Sequence, residues 1–188
     1  MVLRLLLILL LPCLVWARGN YYLGVVTTGC TNEVVDLTGE DYVSQLLMDS
    51  ANRRYVGTRY TGGSSFTICK SSIRMEEDLG NVDSKTYYMA VYSLSGTTLD
   101  AKIGQSDNVS GAVLSTTVAD IEFTWSIPVT LSSGYALVVT SDDAVDASNY
   151  AKVWGNRNLS GDWTFDKWYG DKSITGTTYD ANIKIWTQ

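Results

Sequence analysis

Apolar and polar residues alternate with a period of two along much of the chain. Ile121, Phe123 and Trp125 alternate with three polar residues, which predicts a strand with one buried face and places Trp125 in the core. The segments Tyr87 to Leu94 and Tyr135 to Thr140 are apolar at both parities, that is, at odd-numbered and at even-numbered positions alike. We expect these two segments to be central strands that are covered on both faces.

Turn-forming residues separate these predicted strands. Clusters of Gly, Ser, Asn and Asp recur between the apolar runs, as in Ser95-Gly96 and Ser132-Ser133-Gly134, and such clusters favour chain reversals. Short strands joined in this way predict an all-β fold, an antiparallel β-sandwich of the jelly-roll type over residues 53–188. Residues 18–52 are predicted to form a short irregular N-terminal arm or extra strands. Within them, Asp41 to Asn52 is the best candidate for a short helix.

Composition narrows the possible classes of function. The chain has 188 residues, 45% of them hydrophobic, which suits one domain with a sizeable core. Its net charge of -6 disfavours nucleic-acid binding, because phosphate contacts need clustered Lys or Arg. The sequence contains no histidine. This excludes Ser-His-Asp and Cys-His catalysis, His-ligated zinc and haem held by a proximal His.

Residues 1–17 have the layout of a secretory signal peptide. Arg4 supplies the positive charge, Leu5 to Leu11 the apolar stretch, and Ala17 the small residue at the cleavage site. The apolar stretch is too short, and too interrupted by Pro12, for a transmembrane helix. We therefore predict a secreted or cell-surface protein without a membrane span. The alternative is an uncleaved anchor or a buried N-terminal strand.

Cleavage would leave two cysteines, Cys30 and Cys69. An even pair in an exported chain predicts a disulfide, although two separate buried thiols would fit the same spacing. Two segments, Asn108-Val-Ser110 and Asn158-Leu-Ser160, match the acceptor pattern for N-glycosylation. That pattern matters only in a eukaryotic secretory host.

The segment from Phe123 to Val139 carries a family resemblance. An aromatic strand, a Pro-Val-x-Leu turn and a strand that opens with Gly134-Tyr135 follow one another there. This arrangement resembles the choice-of-anchor type of surface domain, a β-sandwich module of secreted and surface proteins of bacteria and phages. The further segments that match this family are Tyr55 to Tyr60, Ser65 to Arg74, Lys85 to Leu94, Tyr150 to Gly155, Gly161 to Thr164 and Asp180 to Trp186. The resemblance implies a jelly-roll-like sandwich of the kind found in adhesins, glycan-binding appendages, secreted enzymes and virion proteins.

Aromatic residues are concentrated between Tyr150 and Tyr169. They are interleaved with amide, carboxylate and guanidinium groups, and sugar recognition combines flat apolar faces with such groups for the hydroxyls. We predict a glycan-binding platform whose candidate contacts are Tyr150, Trp154, Asn156, Trp163 and Trp168. The alternative is that Trp154 and Trp163 fill the core and only Trp168 is exposed.

Two acidic clusters are candidates for other chemistry. Asp142, Asp143 and Asp146 follow a predicted strand, and an oxygen-rich loop of this kind can bind calcium. A solvated acidic turn is the alternative interpretation. Residues 76–78 (Glu-Glu-Asp) offer the carboxylates that a glycosidase needs. Neighbouring side chains on a strand point to opposite faces, however, so these cannot flank one bond together.

These features together predict a secreted, non-catalytic surface recognition module. It would be carbohydrate-binding or adhesive, with a glycan or a surface polymer as its partner. One alternative is a structural subunit of an extracellular appendage, or a virion decoration protein, that self-assembles through its edge strands. The other alternative is a carboxylate glycosidase. No cofactor is implied apart from the candidate calcium ion.

Overall fold

A computed structural model describes residues 29–39, 43–49, 53–156, 161–168 and 171–188. The predicted signal peptide lies outside the described residues. The strands in these ranges are β1 Asn32–Asp36, β2 Val43–Leu47, β3 Tyr55–Tyr60, β4 Phe66–Leu79, β5 Thr86–Ser95, β6 Thr98–Gln105, β7 Val109–Ser110, β8 Ala119–Leu131, β9 Tyr135–Thr140, β10 Tyr150–Asn156, β11 Trp163–Trp168, β12 Ile174–Ala181 and β13 Ile183–Thr187. A short 3-10 helix, Gly111–Val113, follows β7.

The strands build two antiparallel sheets that pack against each other. In the first sheet, β4 pairs with β8 along one side and with β13 and β10 along the other, and β1 and β2 lie outside β13 and β10. The second sheet has the order β12-β11-β3-β9-β5-β6. The two sheets are joined where the last residues of β10 pair with the end of β12. This confirms the predicted antiparallel β-sandwich, while its jelly-roll type stays a prediction.

The main core lies between the sheets. In β8, Ile121, Phe123 and Trp125 are buried and the residues between them are exposed, which confirms the predicted alternation. The indole Nε1 of Trp125 donates a hydrogen bond to Ser71 Oγ at 2.8 Å, so its one polar atom is satisfied inside the core. Full burial of a side chain such as Phe123 contributes about 1.5–3 kcal/mol to folding. A core of many such side chains therefore holds the two sheets together.

The other face of the second sheet is apolar as well. Its buried residues, which we call the tyrosine cluster, are Tyr88, Ala90, Tyr92, Leu99, Ala136 and Val138. Tyr55 packs against them, with its ring centroid 5.7 Å from that of Tyr92. The amide of Leu99 in β6 donates to the carbonyl of Lys172 at 3.1 Å, which ties the connection between β11 and β12 to the far edge of the sheet. Strand β5 is thus buried on both faces, as its apolar character at both parities predicts.

A bulge interrupts the pairing of β8 with β4. Ile68 pairs with Val129 and Lys70 pairs with Thr124, so residues 125–128 of β8 lie opposite Cys69 alone. A bulge bends its strand and changes the direction of its side chains. Ile127 consequently points outward and is 77% exposed, the most exposed of the large hydrophobic side chains that the structure describes.

The N-terminal region contributes two strands to the first sheet. Strand β1 pairs with β13 and β2 pairs with β10, so these residues are extra strands rather than an irregular arm. The helix predicted between Asp41 and Asn52 is wrong over residues 43–47, which form β2. So short an apolar pattern cannot offset the cost of helix nucleation, whereas pairing with β10 satisfies the backbone and Leu47 is fully buried. The predicted disulfide between Cys30 and Cys69 is confirmed, with the two Cα atoms 5.8 Å apart.

Candidate functional site

The described side chains of the predicted aromatic platform are divided between the core and the surface. Trp163 is 7% exposed, and its ring packs 4.5 Å from Tyr60 and 6.5 Å from Phe66, between centroids. This ring lies in the core and offers no face to a ligand, which corrects its assignment as a contact. Trp168 ends β11 opposite Tyr55, and its side chain lies outside what the structure describes.

Asn156 is buried within the fold and does not lie on the surface. It is 1% exposed, and its Nδ2 donates to the carbonyl of Leu37 and to Asn182 Oδ1, the latter at 2.9 Å. These bonds fasten the corner where β10, β13 and the segment after β1 meet. A buried amide with such partners is expected to hold the fold together, so Asn156 is not available to a sugar.

Tyr150 and Trp154 lie on the outer face of the first sheet. They flank Lys152, whose ammonium group contacts the carboxylate of Asp78. The hydrogen bond to Asp78 raises the pKa of Lys152, and desolvation followed by the charge of Asp78 raises the pKa of Tyr150. The indole Nε1 of Trp154 is buried without a hydrogen-bond partner in the described part of the chain. This face is therefore a charged sheet surface with two partly covered aromatic rings.

The three aspartates of the predicted calcium loop are directed at different donors. Asp142 Oδ1 accepts the hydroxyl of Tyr88 at 2.7 Å, and Asp143 Oδ2 accepts the amide of Thr86 at 2.6 Å. Asp146 accepts from Asn149 and from the amide of Ser148, and these bonds lower the pKa of Asp146. Among the described residues, no three acidic or cysteine side chains form a group that could hold a metal ion. The geometry therefore does not support a calcium site at these three residues.

Two of these aspartates line a small cleft at one end of the second sheet. The cleft has a volume of about 200 Å³ and is lined by Thr86, Tyr88, Asn108, Asp142 and Asp143. Its side chains arrive from the start of β5, from the connection between β6 and β7, and from the loop after β9. Burial, followed by the hydrogen bond to Asp142, raises the pKa of Tyr88. The phenol thus stays protonated and holds one oxygen of Asp142, which leaves the other oxygen as an acceptor.

A larger cleft lies on the other side of Asn108. It has a volume of about 390 Å³ and is lined by Gln105, Ser106, Asp107, Asn108, Ser126 and Ile127. Here the exposed aliphatic side chain of Ile127 stands beside amide, carboxylate and hydroxyl groups. We call the two clefts together the Asn108 groove, because Asn108 lines both.

The polar lining of the larger cleft is held by hydrogen bonds to both sheets. Ser106 Oγ accepts the amide of Met89 in β5 at 2.9 Å, and the amide of Asp107 donates to the carbonyl of Thr124 in β8 at 2.8 Å. Ser126 Oγ adds a hydrogen bond to Asp107 Oδ2 at 2.6 Å. A polar surface held in this way loses little entropy when it binds a ligand. The groove is accordingly a preorganised polar surface with one apolar wall.

No family model, curated protein or solved structure matches this chain. In the part of the chain that the structure describes, no helix has the length and apolar character needed to cross a membrane. The geometry of the groove is therefore the feature of this protein that points to a function.

Sequence reasoning missed most residues of the groove. The sequence pattern marks Asn108 only as a glycosylation acceptor, and Asp142 and Asp143 only as calcium ligands. No site is predicted at Ile127. The proline that follows it nevertheless indicates a bulge, because proline within sheets is confined to edges and bulges. Which loops meet at one end of a sheet depends on strand order, and the local pattern does not contain it.

Proposed function

We propose that the protein is a secreted, non-catalytic recognition module that binds a carbohydrate in the Asn108 groove. The observation that carries the proposal is the larger cleft, where exposed Ile127 faces the polar side chains of Gln105, Asp107 and Asn108. A pyranose ring presents an apolar C–H face and a rim of hydroxyls, so it needs both kinds of surface. The disulfide supports export, because such bonds persist in oxidising compartments.

The hydrogen-bonding groups of the groove match a ligand rich in hydroxyls. Asp107 has one carboxylate oxygen engaged by Ser126, and Gln105 has its Oε1 engaged by Lys102 at 2.6 Å. The second oxygen of Asp107 remains an acceptor, and the amide nitrogen of Gln105 remains a donor. The side chain of Asn108 makes no hydrogen bond within the described residues and offers one acceptor and two donors. Hydroxyl groups, which donate and accept, complement this mixture.

Binding to an array of immobilised glycans tests the proposal, with Ile127→Ala as the variant. This change removes three apolar carbons at about 0.8 kcal/mol each. If the sugar covers about half of that surface, the affinity falls about tenfold, since 1.4 kcal/mol corresponds to a factor of ten. Val113→Ala is the matched control, because Val113 is 56% exposed but lines neither cleft. Absence of binding by the wild type, or equal losses in the two variants, would contradict the proposal.

A glycosidase is the second candidate, because Asp142 and Asp143 both line the smaller cleft. Glycosidases use two carboxylates that flank the scissile bond. Here both groups accept hydrogen bonds from the chain, Asp143 from a backbone amide and from Ser141 Oγ at 3.1 Å. This arrangement suits acceptors better than a proton donor. Release of reducing sugar from a bound oligosaccharide, abolished by Asp142→Asn, would favour the enzyme over the binding module.

A further inference from the structure

The two clefts of the Asn108 groove are adjacent and differ in their chemistry. The larger has the aliphatic wall of Ile127, whereas the smaller is lined mainly by polar side chains, including the tyrosine hydroxyl and two carboxylates. One residue, Asn108, belongs to both linings, so the two spaces adjoin at its side chain. A ligand that fills both clefts has to pass over Asn108.

We propose that the two clefts are neighbouring sugar subsites and that the ligand is a neutral oligosaccharide with Asn108 beneath the linkage between two units. This rests on the proposed function and deepens it. At about 390 and about 200 Å³, each cleft is near or below the lower end of the range for drug-sized ligands. Each therefore suits one sugar unit, and together they suit a short chain.

The charges of the lining favour a neutral chain over an acidic one. Asp107, Asp142 and Asp143 contribute three carboxylates, and neither Lys nor Arg lines the two described clefts. Lys102 touches the lining from outside, with its Nζ bonded to Gln105 and 5.2 Å from the ring centre of Tyr88. Like charges at short range are unfavourable in a partly covered site. A uronic acid or a sulfated sugar would meet this repulsion.

The test is a titration of the wild-type protein with soluble saccharides of increasing length. The probes are glucose and N-acetylglucosamine, their β-1,4-linked oligomers from disaccharide to hexasaccharide, and an oligogalacturonate of equal length. We expect the disaccharide or trisaccharide to bind at least about tenfold more tightly than the monosaccharide, because a second subsite that contributes 1.4 kcal/mol gives that factor. The oligogalacturonate should bind more weakly than the neutral oligomers.

Two variants locate the second subsite. Asp142→Asn keeps the oxygen that accepts from Tyr88 but replaces the other carboxylate oxygen by an amide nitrogen. Asn108→Ala removes the side-chain amide beneath the linkage. Asp142→Asn should reduce the gain from chain length while the monosaccharide, which fits the larger cleft, binds as before. Asn108→Ala should weaken the longer chains more than the monosaccharide, because Asn108 lines both clefts. Asp162→Asn is the matched control, because Asp162 is exposed and its carbonyl accepts the amide of Thr61, just after β3, at the other end of the sheet.

The outcomes separate the two levels of the proposal. If a monosaccharide binds as tightly as a longer chain, or if Asp142→Asn behaves like Asp162→Asn, the second subsite is wrong while carbohydrate binding stands. If the acidic oligomer binds best, the argument from charge is wrong. If no saccharide in the series binds, the proposed function and the subsites fail together.

Discussion

Gly57 is the position where a single methyl group should damage the fold most clearly. It lies in β3 between β9 and β11, paired with Val138 and Asp166. A Cβ atom at this position would lie 2.2 Å from the carbonyl oxygen of Leu137 and 2.6 Å from the Cα of Val138. Both atoms belong to the backbone of the neighbouring strand, so no side-chain rotation can relieve the contact.

The cost of Gly57→Ala follows from the displacement that it requires. An ordinary contact begins at 3.4 Å, so β3 has to move away from β9 by about 1 Å. Overpacking of this kind costs about 1–3 kcal/mol, and the stretched ladder hydrogen bonds add about 1 kcal/mol. We expect a loss of about 3 kcal/mol in the free energy of unfolding, or roughly two powers of ten in the unfolding equilibrium.

Urea unfolding followed by tryptophan fluorescence measures this loss. The thermal midpoint should also fall by about 9 °C, since about 1 kcal/mol shifts a domain of this size by about 3 °C. Gly63→Ala is the control, because a Cβ there meets no atom within 4 Å. That variant should match the wild type or be slightly more stable, through the lower entropy of its unfolded chain. A Gly57→Ala protein within about 0.5 kcal/mol of the wild type would refute the close approach of β3 and β9.

Three other predictions concern what holds the sandwich together. Replacing Cys30 and Cys69 by serine should lower the free energy of unfolding by about 4 kcal/mol on the chain-entropy model, measured in urea, and a loss below about 1 kcal/mol would contradict it. Arg59→Met should lower the free energy of unfolding by about 3 kcal/mol, because it removes an ion-pair partner of the fully buried Asp166 carboxylate. The double variant Arg59→Met/Asp166→Leu should lose less stability than the sum of the two single variants, and additive losses would contradict the coupling. The pKa of Tyr88 is raised above 10.0, chiefly by desolvation, so the stability from its protonated phenol is complete below pH 10.0 and falls as the pH rises further. Between one pH unit below and one pH unit above 10.0, the Tyr88→Phe variant should therefore lose less stability than the wild type. Equal losses in the two proteins would contradict the buried phenol.

The strands could be predicted where the pattern is local. The alternation of Ile121, Phe123 and Trp125 fixes the buried face of β8, and the structure buries all three. Tyr87 to Leu94 is apolar at both parities, and the tyrosine cluster covers its second face. In these segments the period of the local pattern shows whether one face or both faces of the strand are buried.

Aromatic composition does not separate core positions from surface positions, so it includes Trp163 in the predicted platform although this side chain is buried. Trp163 and Tyr60 lie opposite each other in register and pack in the core, whereas Trp154 lies on the outer face of the other sheet. Ile127 is the opposite case, a side chain that the pattern predicts to be buried but that the structure exposes. A strict period of two would place it inside with Trp125, and only the bulge opposite Cys69 turns it outward. Long-range pairing decides both cases, and a single sequence does not record it.

The most direct test of the account is a two-dimensional NMR titration of the amide signals with the tightest-binding oligosaccharide of the series. Binding in the Asn108 groove predicts shifts confined to residues 86–88, 105–108, 126–127 and 142–143, on both sides of Asn108. Shifts centred on Tyr150 and Trp154, or a spectrum that no saccharide changes, would contradict the claim that this groove is where the protein recognises its ligand.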